Sequence, residues 1–279
     1  MATVHQVLVR HFHAFQTESN EVDSRDYVRT LQNDLNDLGL CADLEGLSVK
    51  TRTGTTGSNK RSQTSRRDVN TDRQLSQQIS ASLFKCLECV LVAETSPSVD
   101  NADSLFDLMA AIAVSYNVIE ETFYALIRPA SVATADRMRL LACRMMTACI
   151  KQAPHHSTQL IPLLLPRFTD KAQTVRLAAL VAAQATLDTE QEQTLSEPTR
   201  ELTEALLWNL HHDPSWTNRC QALQSLPLVP DQIHHVIRRL RDVKPKVRVA
   251  AIHRLHAVTL GKLTPDQCAE IVRAGFTDR

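Results

Sequence analysis

The chain has 279 residues, and its 31 basic and 31 acidic side chains give a formal net charge of zero at pH 7, with a mean hydropathy of −0.21. No stretch is long and apolar enough to cross a membrane as a helix, and the start, MATVHQVLVRHFHAF, lacks the basic opening, apolar run and small-residue cleavage site of a secretory signal. Seven cysteines, an odd number without paired spacing, suit a reducing intracellular compartment rather than a disulfide framework. Six glycines, few aromatics and an abundance of Leu and Ala in the second half favour helix over sheet.

In chain order, residues 4–18 and 24–38 each read as an amphipathic helix; in the second, Tyr27, Val28, Leu31, Leu35 and Leu38 share one stripe. Together they make an N-terminal helical segment over 1–49. From Lys50 to Arg73 the only bulky apolar residue is Val69, and Ser, Thr, Gly, Lys and Arg dominate. Such a stretch cannot bury enough surface to offset its ordering entropy, so 50–71 is expected to be a disordered basic insertion. Helical periodicity resumes at Asp72, with Leu75, Ile79, Leu83, Leu87, Val90 and Leu91 on one face up to about Glu94. A loop, TSPSVDNAD, follows. One or two helices are expected over 104–127 and another over 134–151. Helices then alternate with short turns at 156–168, 172–187, 198–211, 215–226, 231–241, 245–258 and 265–275. Pro154, Pro198, Pro214, Pro230, Pro245 and Pro265 fall at the proposed helix starts or turns, where a fixed φ and a missing N–H are tolerated.

The second half repeats one pattern: an Asp, an Arg six residues on, and an Ala three beyond that. It occurs at Asp170/Arg176/Ala179, Asp213/Arg219/Ala222 and Asp242/Arg248/Ala251, and a weaker copy keeps Arg139 and Ala142 without the Asp. Successive arginines are 37, 43 and 29 residues apart, which brackets the period of two-helix HEAT or armadillo units. The expected fold is all-α, a HEAT/armadillo-type α-solenoid over 72–279. In each unit the Asp is expected to cap the second helix. The Arg reaches an Asp of its own or a neighbouring turn, and the small Ala admits the adjacent helix. Asp170, Arg176, Asp213, Arg219, Asp242 and Arg248 are therefore assigned to a structural ladder. The closing AGFTDR restates the FTDK of Phe168, so a further second helix is expected after Asp278, as in the N-terminal portion of a longer protein or a truncated gene model.

Three segments carry a family resemblance: PRFTDKAQTVRLAALVAAQATLD from Pro166, HHDPSWTNRCQAL from His211, and RRLRDVKPKVRVAAIHRLHAVTLGKLTPDQCAEIVRAGFTDR from Arg238. From about Asp136 to the C-terminus the chain resembles the N-terminal HEAT repeats of condensin complex subunit 3, with Arg239, Asp242, Val243, Lys244, Val247 and Arg248 followed by Gly275, Asp278 and Arg279. The resemblance implies a non-catalytic subunit that docks on a kleisin and through it on the SMC ATPase subunits. It also implies sequence-independent contact with duplex DNA in mitotic chromosome condensation. The implied location is the nucleus and condensed chromosome, with a cytoplasmic pool in interphase. No cofactor is implied.

The basic residues Arg238, Arg239, Arg241, Lys244, Lys246 and Arg254 gather around the last complete repeat with few acids among them. Such a set neutralises phosphates and releases counterions, and it is the candidate DNA-binding site; a solvated helix face is the plain alternative. In the insertion, Lys60, Arg61, Arg66 and Arg67 would supply at most a loose tether, which phosphorylation of Ser62 or Ser65 would neutralise. GTTGSNKRS does not satisfy the phosphate-loop pattern. Cys86 and Cys89 form a lone CxxC without a second ligand pair. The adjacent pairs His155/His156, His211/His212 and His234/His235 diverge by about 100° on a helix and do not share a metal. Trp208 and Trp216 flank Asp213, the residue types of a helical-repeat DNA glycosylase, but packing explains both tryptophans better. A protein-binding scaffold or transport adaptor unrelated to chromosomes would use the same fold.

Overall fold

A computed structural model describes residues 65–92, 99–189, 197–258, 261 and 263–277, with Gln6, Leu8, Arg10, Thr30, Asn33 and Asp34 before them. All of the described regular structure is helical. The chain forms two compact units, Met1–Leu126 and Ile127–Arg279. The ladder residues all fall in the second unit.

In the first unit the six isolated positions are helical, and Arg10 donates to Asp34 at 2.6 Å; the rest of the two segments predicted as N-terminal helices lies outside the described residues. Residues 50–64 of the expected insertion lie outside the described residues. Helix α1 spans Ser65–Val92, so it starts seven residues before Asp72 and takes in the end of that insertion. Once the apolar stripe nucleates a helix, extending it through polar residues costs little per residue. The stripe itself is as expected: Leu75, Ile79, Leu83, Leu87 and Leu91 are buried, with Val90 at its half-buried margin.

Helix α2, Val99–Ser115, begins inside the segment expected to be a loop, where Asp103 suits the positive end of a helix dipole. It ends in a Schellman motif. Asn117 takes φ 53°, the left-handed region that Asn tolerates, while Asn117 N–H bonds Val114 O and Val118 N–H bonds Ala113 O. A π-helical turn, Glu120–Tyr124, buries Phe123 and packs on α1. The short α3, Ala125–Ser131, contains the unit boundary.

The second unit is a stack of hairpins, and its helices lie close to their expected positions. Helix α4 (Asp136–Gln152) precedes α5 (Ser157–Leu164) with its 3₁₀ extension Leu165–Thr169, then α6 (Gln173–Thr189). After these come α7 (Glu197–His212), α8 (Trp216–Ser225), α9 (Pro230–Arg238) with the 3₁₀ turn Arg239–Arg241, α10 (Pro245–His256) and α11 (Pro265–Thr277). Pro230, Pro245 and Pro265 open helices, and Pro198 is the second residue of α7. The second helices form one layer, α4 on α6 on α8 on α10. Ala142, Ala179, Ala222 and Ala251 are all at 0% exposure, because only a methyl fits where successive second helices approach. Phe168, Leu206, Leu210, Ile233, Val236 and Ile237 fill the space between this layer and the first helices.

Candidate nucleic-acid interface

The turns between first and second helices position the candidate site, and the Asp–Arg ladder fixes those turns. Arg139, Arg176 and Arg219 each take the carboxylate of the following turn with two hydrogen bonds. Arg139 Nε and Nη2 donate to Asp170 at 2.6 and 2.9 Å, Arg176 to Asp213 at 2.7 and 3.1 Å, and Arg219 to Asp242 at 2.9 and 2.8 Å. The remaining nitrogen, Nη1, closes the Arg's own turn: Arg176 bonds Asp170 O at 2.8 Å, Arg219 bonds Asp213 O at 2.8 Å, and Arg248 bonds Asp242 O at 3.1 Å. One guanidinium thus ties two repeats together. The weaker copy works the same way, with Arg139 Nη1 on the carbonyls of Ala133 and Thr134.

The expectation that the Asp caps its helix is corrected: the Asp stands two residues before the helix-entry residue. Asp170, Asp213 and Asp242 accept from the backbone N–H two residues on, at Ala172 (3.0 Å), Ser215 (2.8 Å) and Lys244 (2.9 Å). Ser215 and Lys244 are themselves the residues that enter the helices, and neither caps with its side chain. These are Asx-turns, which hold the chain in place before the first helical N–H.

The ladder carboxylates stay ionised. The Arg139 bonds hold Asp170 below the ordinary carboxylate range. Burial alone would raise Asp213 and Asp242, but Arg176 with Asn218 and Ser215 overcomes it for the first, and Arg219 with Lys244 for the second. Arg139 and Arg176 are raised by the same bonds.

Around the Asp242 turn the six proposed DNA-binding residues separate into two groups. Arg238, Arg241, Lys244 and Lys246 are exposed. Lys246 lies with Nζ 4.5 Å from the centroid of the Trp216 ring, which reaches it from the preceding turn. Arg239 and Arg254 instead turn inward. Arg239 Nη1 spans Leu210 O and Asp242, both at 3.4 Å, and Arg254 donates to the carbonyl of Leu226 at the end of α8. Burial lowers the basicity of both. The only carboxylate in this turn, Asp242, is held by Arg219, so the four exposed cations face solvent without an acidic neighbour in Arg238–Lys246.

Both inward residues have a sequence signal. Arg239 stands three before Asp242 as Arg167 stands three before Asp170, and Arg167 also pairs with its Asp, at 3.1 Å. Arg254 lies seven residues after Val247, which is fully buried, and so on the same helix face. Other features were not legible. Gln173 Nε2 bridges the hydroxyls of Ser215 (2.8 Å) and Thr217 (2.9 Å) across two turns. His211 pairs with His235 rather than standing as an isolated surface residue.

The remaining candidates are also placed. Trp208 is 48% exposed, so packing in the core does not explain it; it faces outward from α7 and stacks on His212. Asp213 has no exposed side-chain surface and is fully engaged by Arg176, Asn218 and Ser215, which leaves it no access to a base. Burial pushes the Cys86 thiol up to about 11. Among the described residues no group of three or more His, Cys, Asp or Glu side chains is arranged to hold a metal ion.

No family model matches the chain, and no curated protein matches it in sequence. Among solved structures, it is similar to a chain in the crystal structure of the S. pombe condensin Cnd3–Cnd2 subcomplex, with a TM-score of 0.57 and 19% identity. The likeness covers 75% of this chain and 29% of that one. It is a likeness of fold, and it agrees with the HEAT-type solenoid that the ladder builds.

Proposed function

We propose that this protein is a non-catalytic HEAT-repeat subunit of a condensin-type complex, which docks on a kleisin and contacts duplex DNA through the Asp242 turn. Its route to the SMC ATPases is through that kleisin, and its place of action is the condensed mitotic chromosome. The fold likeness and the repeat order support the complex. The observation that carries the DNA contact is the set of four exposed cations, Arg238, Arg241, Lys244 and Lys246, on a turn whose one carboxylate is already neutralised. A surface of this kind binds phosphates without reading bases. Arg239 and Arg254 support the turn from within and are outside the proposed contact set.

The test is a salt titration of fluorescent duplex binding, with and without a kleisin fragment. Charge reversal of Arg238, Arg241, Lys244 and Lys246 is expected to weaken binding. Each lost phosphate contact should lower the slope of log K against log salt by roughly one unit, without changing sequence preference. An unchanged affinity and slope would remove this turn as the DNA site. Absence of kleisin binding would remove the condensin assignment, and capture of a transport cargo instead would favour the scaffold alternative.

A further inference from the structure

The first helices of two successive repeats, α7 and α9, meet through imidazoles. His211 Nε2 lies 2.9 Å from His235 Nδ1, with ring centroids 5.0 Å apart. The two rings sit in a continuous aromatic row: Trp208 stacks on His212 at 5.3 Å, His212 meets His211 edge-on at 6.2 Å, and His234 lies against His235 at 3.8 Å. At 2.9 Å one ring nitrogen donates its hydrogen and the other accepts it with a lone pair. One added proton can still be shared between the rings. A second leaves two N–H groups facing each other with no acceptor.

The surroundings oppose protonation. Charged and titratable groups acting on His211 are Arg239 and Arg238 from the α9 end, His235 on α9 and His212 on α7; those acting on His235 are His234, Arg238 and Arg239. No carboxylate is among them, and the nearest acid in the turn, Asp242, is engaged by Arg219. Burial, with these cations, pushes His211 down to about 4 and lowers His235 as well.

We propose that the His211–His235 pair is a proton-sensitive clamp between repeats, which holds α7 to α9 while neutral and releases the α9 end when both rings are charged. The released segment is the one that carries Arg238 and Arg241. The clamp stands on its own geometry and does not depend on the proposed DNA contact. Because the folded rings resist protons that an unfolded imidazole accepts near 6.5, the stabilisation is complete above that pH and is lost as pH falls toward about 4.

The experiment is a ring-proton NMR titration of the full chain from pH 8 to 4, paired with denaturant midpoints over the same range. A double variant, His211→Gln with His235→Asn, places amide groups near the two bonding nitrogens and keeps a neutral hydrogen bond that cannot titrate. In the wild type, the His211 resonance is expected to move only near pH 4, and the midpoint is expected to fall between pH 6.5 and 4. The double variant should lose less over that window, and its amide exchange in residues 230–241, corrected for intrinsic rate, should stay constant where that of the wild type accelerates. A His211 titration at the free-imidazole value would overturn the pairing. An equal loss of midpoint in both proteins would overturn the clamp. If the variant does not fold, the wild-type titration and exchange decide the matter alone.

Discussion

Replacing Asp213 by Ala tests the ladder at its most buried rung. The carboxylate has no exposed side-chain surface and accepts four hydrogen bonds: two from Arg176, one from Asn218 and one from the Ser215 N–H. Removing it strands the Arg176 guanidinium, whose side chain is 11% exposed, between two repeats. Breaking a buried ion pair from one side costs about 3–5 kcal/mol, most of it the penalty of an uncompensated charge. Asp213→Asn keeps the shape and part of the hydrogen bonding and is expected to cost less, on the order of 1–3 kcal/mol. Both tryptophans of the chain, Trp208 and Trp216, lie in the second unit. Urea unfolding followed by tryptophan fluorescence therefore reports that unit directly. The expected order of midpoints is wild type, Asp213→Asn, Asp213→Ala. Equal midpoints for wild type and Asp213→Ala at pH 7 would show that the ladder holds nothing together, and the Arg would have to be satisfied by its own turn alone.

The folded-state pKa values of Asp170, Asp213 and Asp242 are lowered, so their stabilisation is present above the unfolded value near 3.8 and is lost as pH falls through the folded values. Acid unfolding should accordingly show a ladder phase below pH 4, distinct from the histidine window above it, and the gap between wild type and Asp213→Asn should close there. Arg248→Ala removes the bond to Asp242 O and is expected to cost about 1 kcal/mol of stability, lowering the melting midpoint, while Arg238→Ala leaves it unchanged; circular dichroism melts at pH 7 check both. Arg254→Ala should destabilise by roughly 1–3 kcal/mol, since the buried Leu226 carbonyl loses its donor, yet should leave the salt slope of duplex binding intact. A reduced slope in that variant would return Arg254 to the DNA-contacting set.

The sequence by itself determined the local structure of the second unit. The Asp/Arg/Ala spacing located three turns and the small residues between stacked helices, and the prolines marked helix starts to within a residue or two, because a turn, a helix entry and a helix face are decided by neighbours in the chain. The R-x-x-D spacing that Arg239 and Asp242 share with Arg167 and Asp170 is also in the sequence, yet charge alone assigns Arg239 to the DNA-binding set. Only the tertiary structure decided which Asp each Arg takes. Arg139, Arg176 and Arg219 reach carboxylates 31, 37 and 23 residues on, distances that follow no single period because the intervening helices and turns differ in length from repeat to repeat. Tertiary placement also paired His211 with His235, exposed Trp208 and turned Arg239 and Arg254 toward backbone carbonyls. Whether a cation faces solvent or a buried carbonyl depends on what the rest of the chain packs against it, and charge spacing along the sequence holds no record of that.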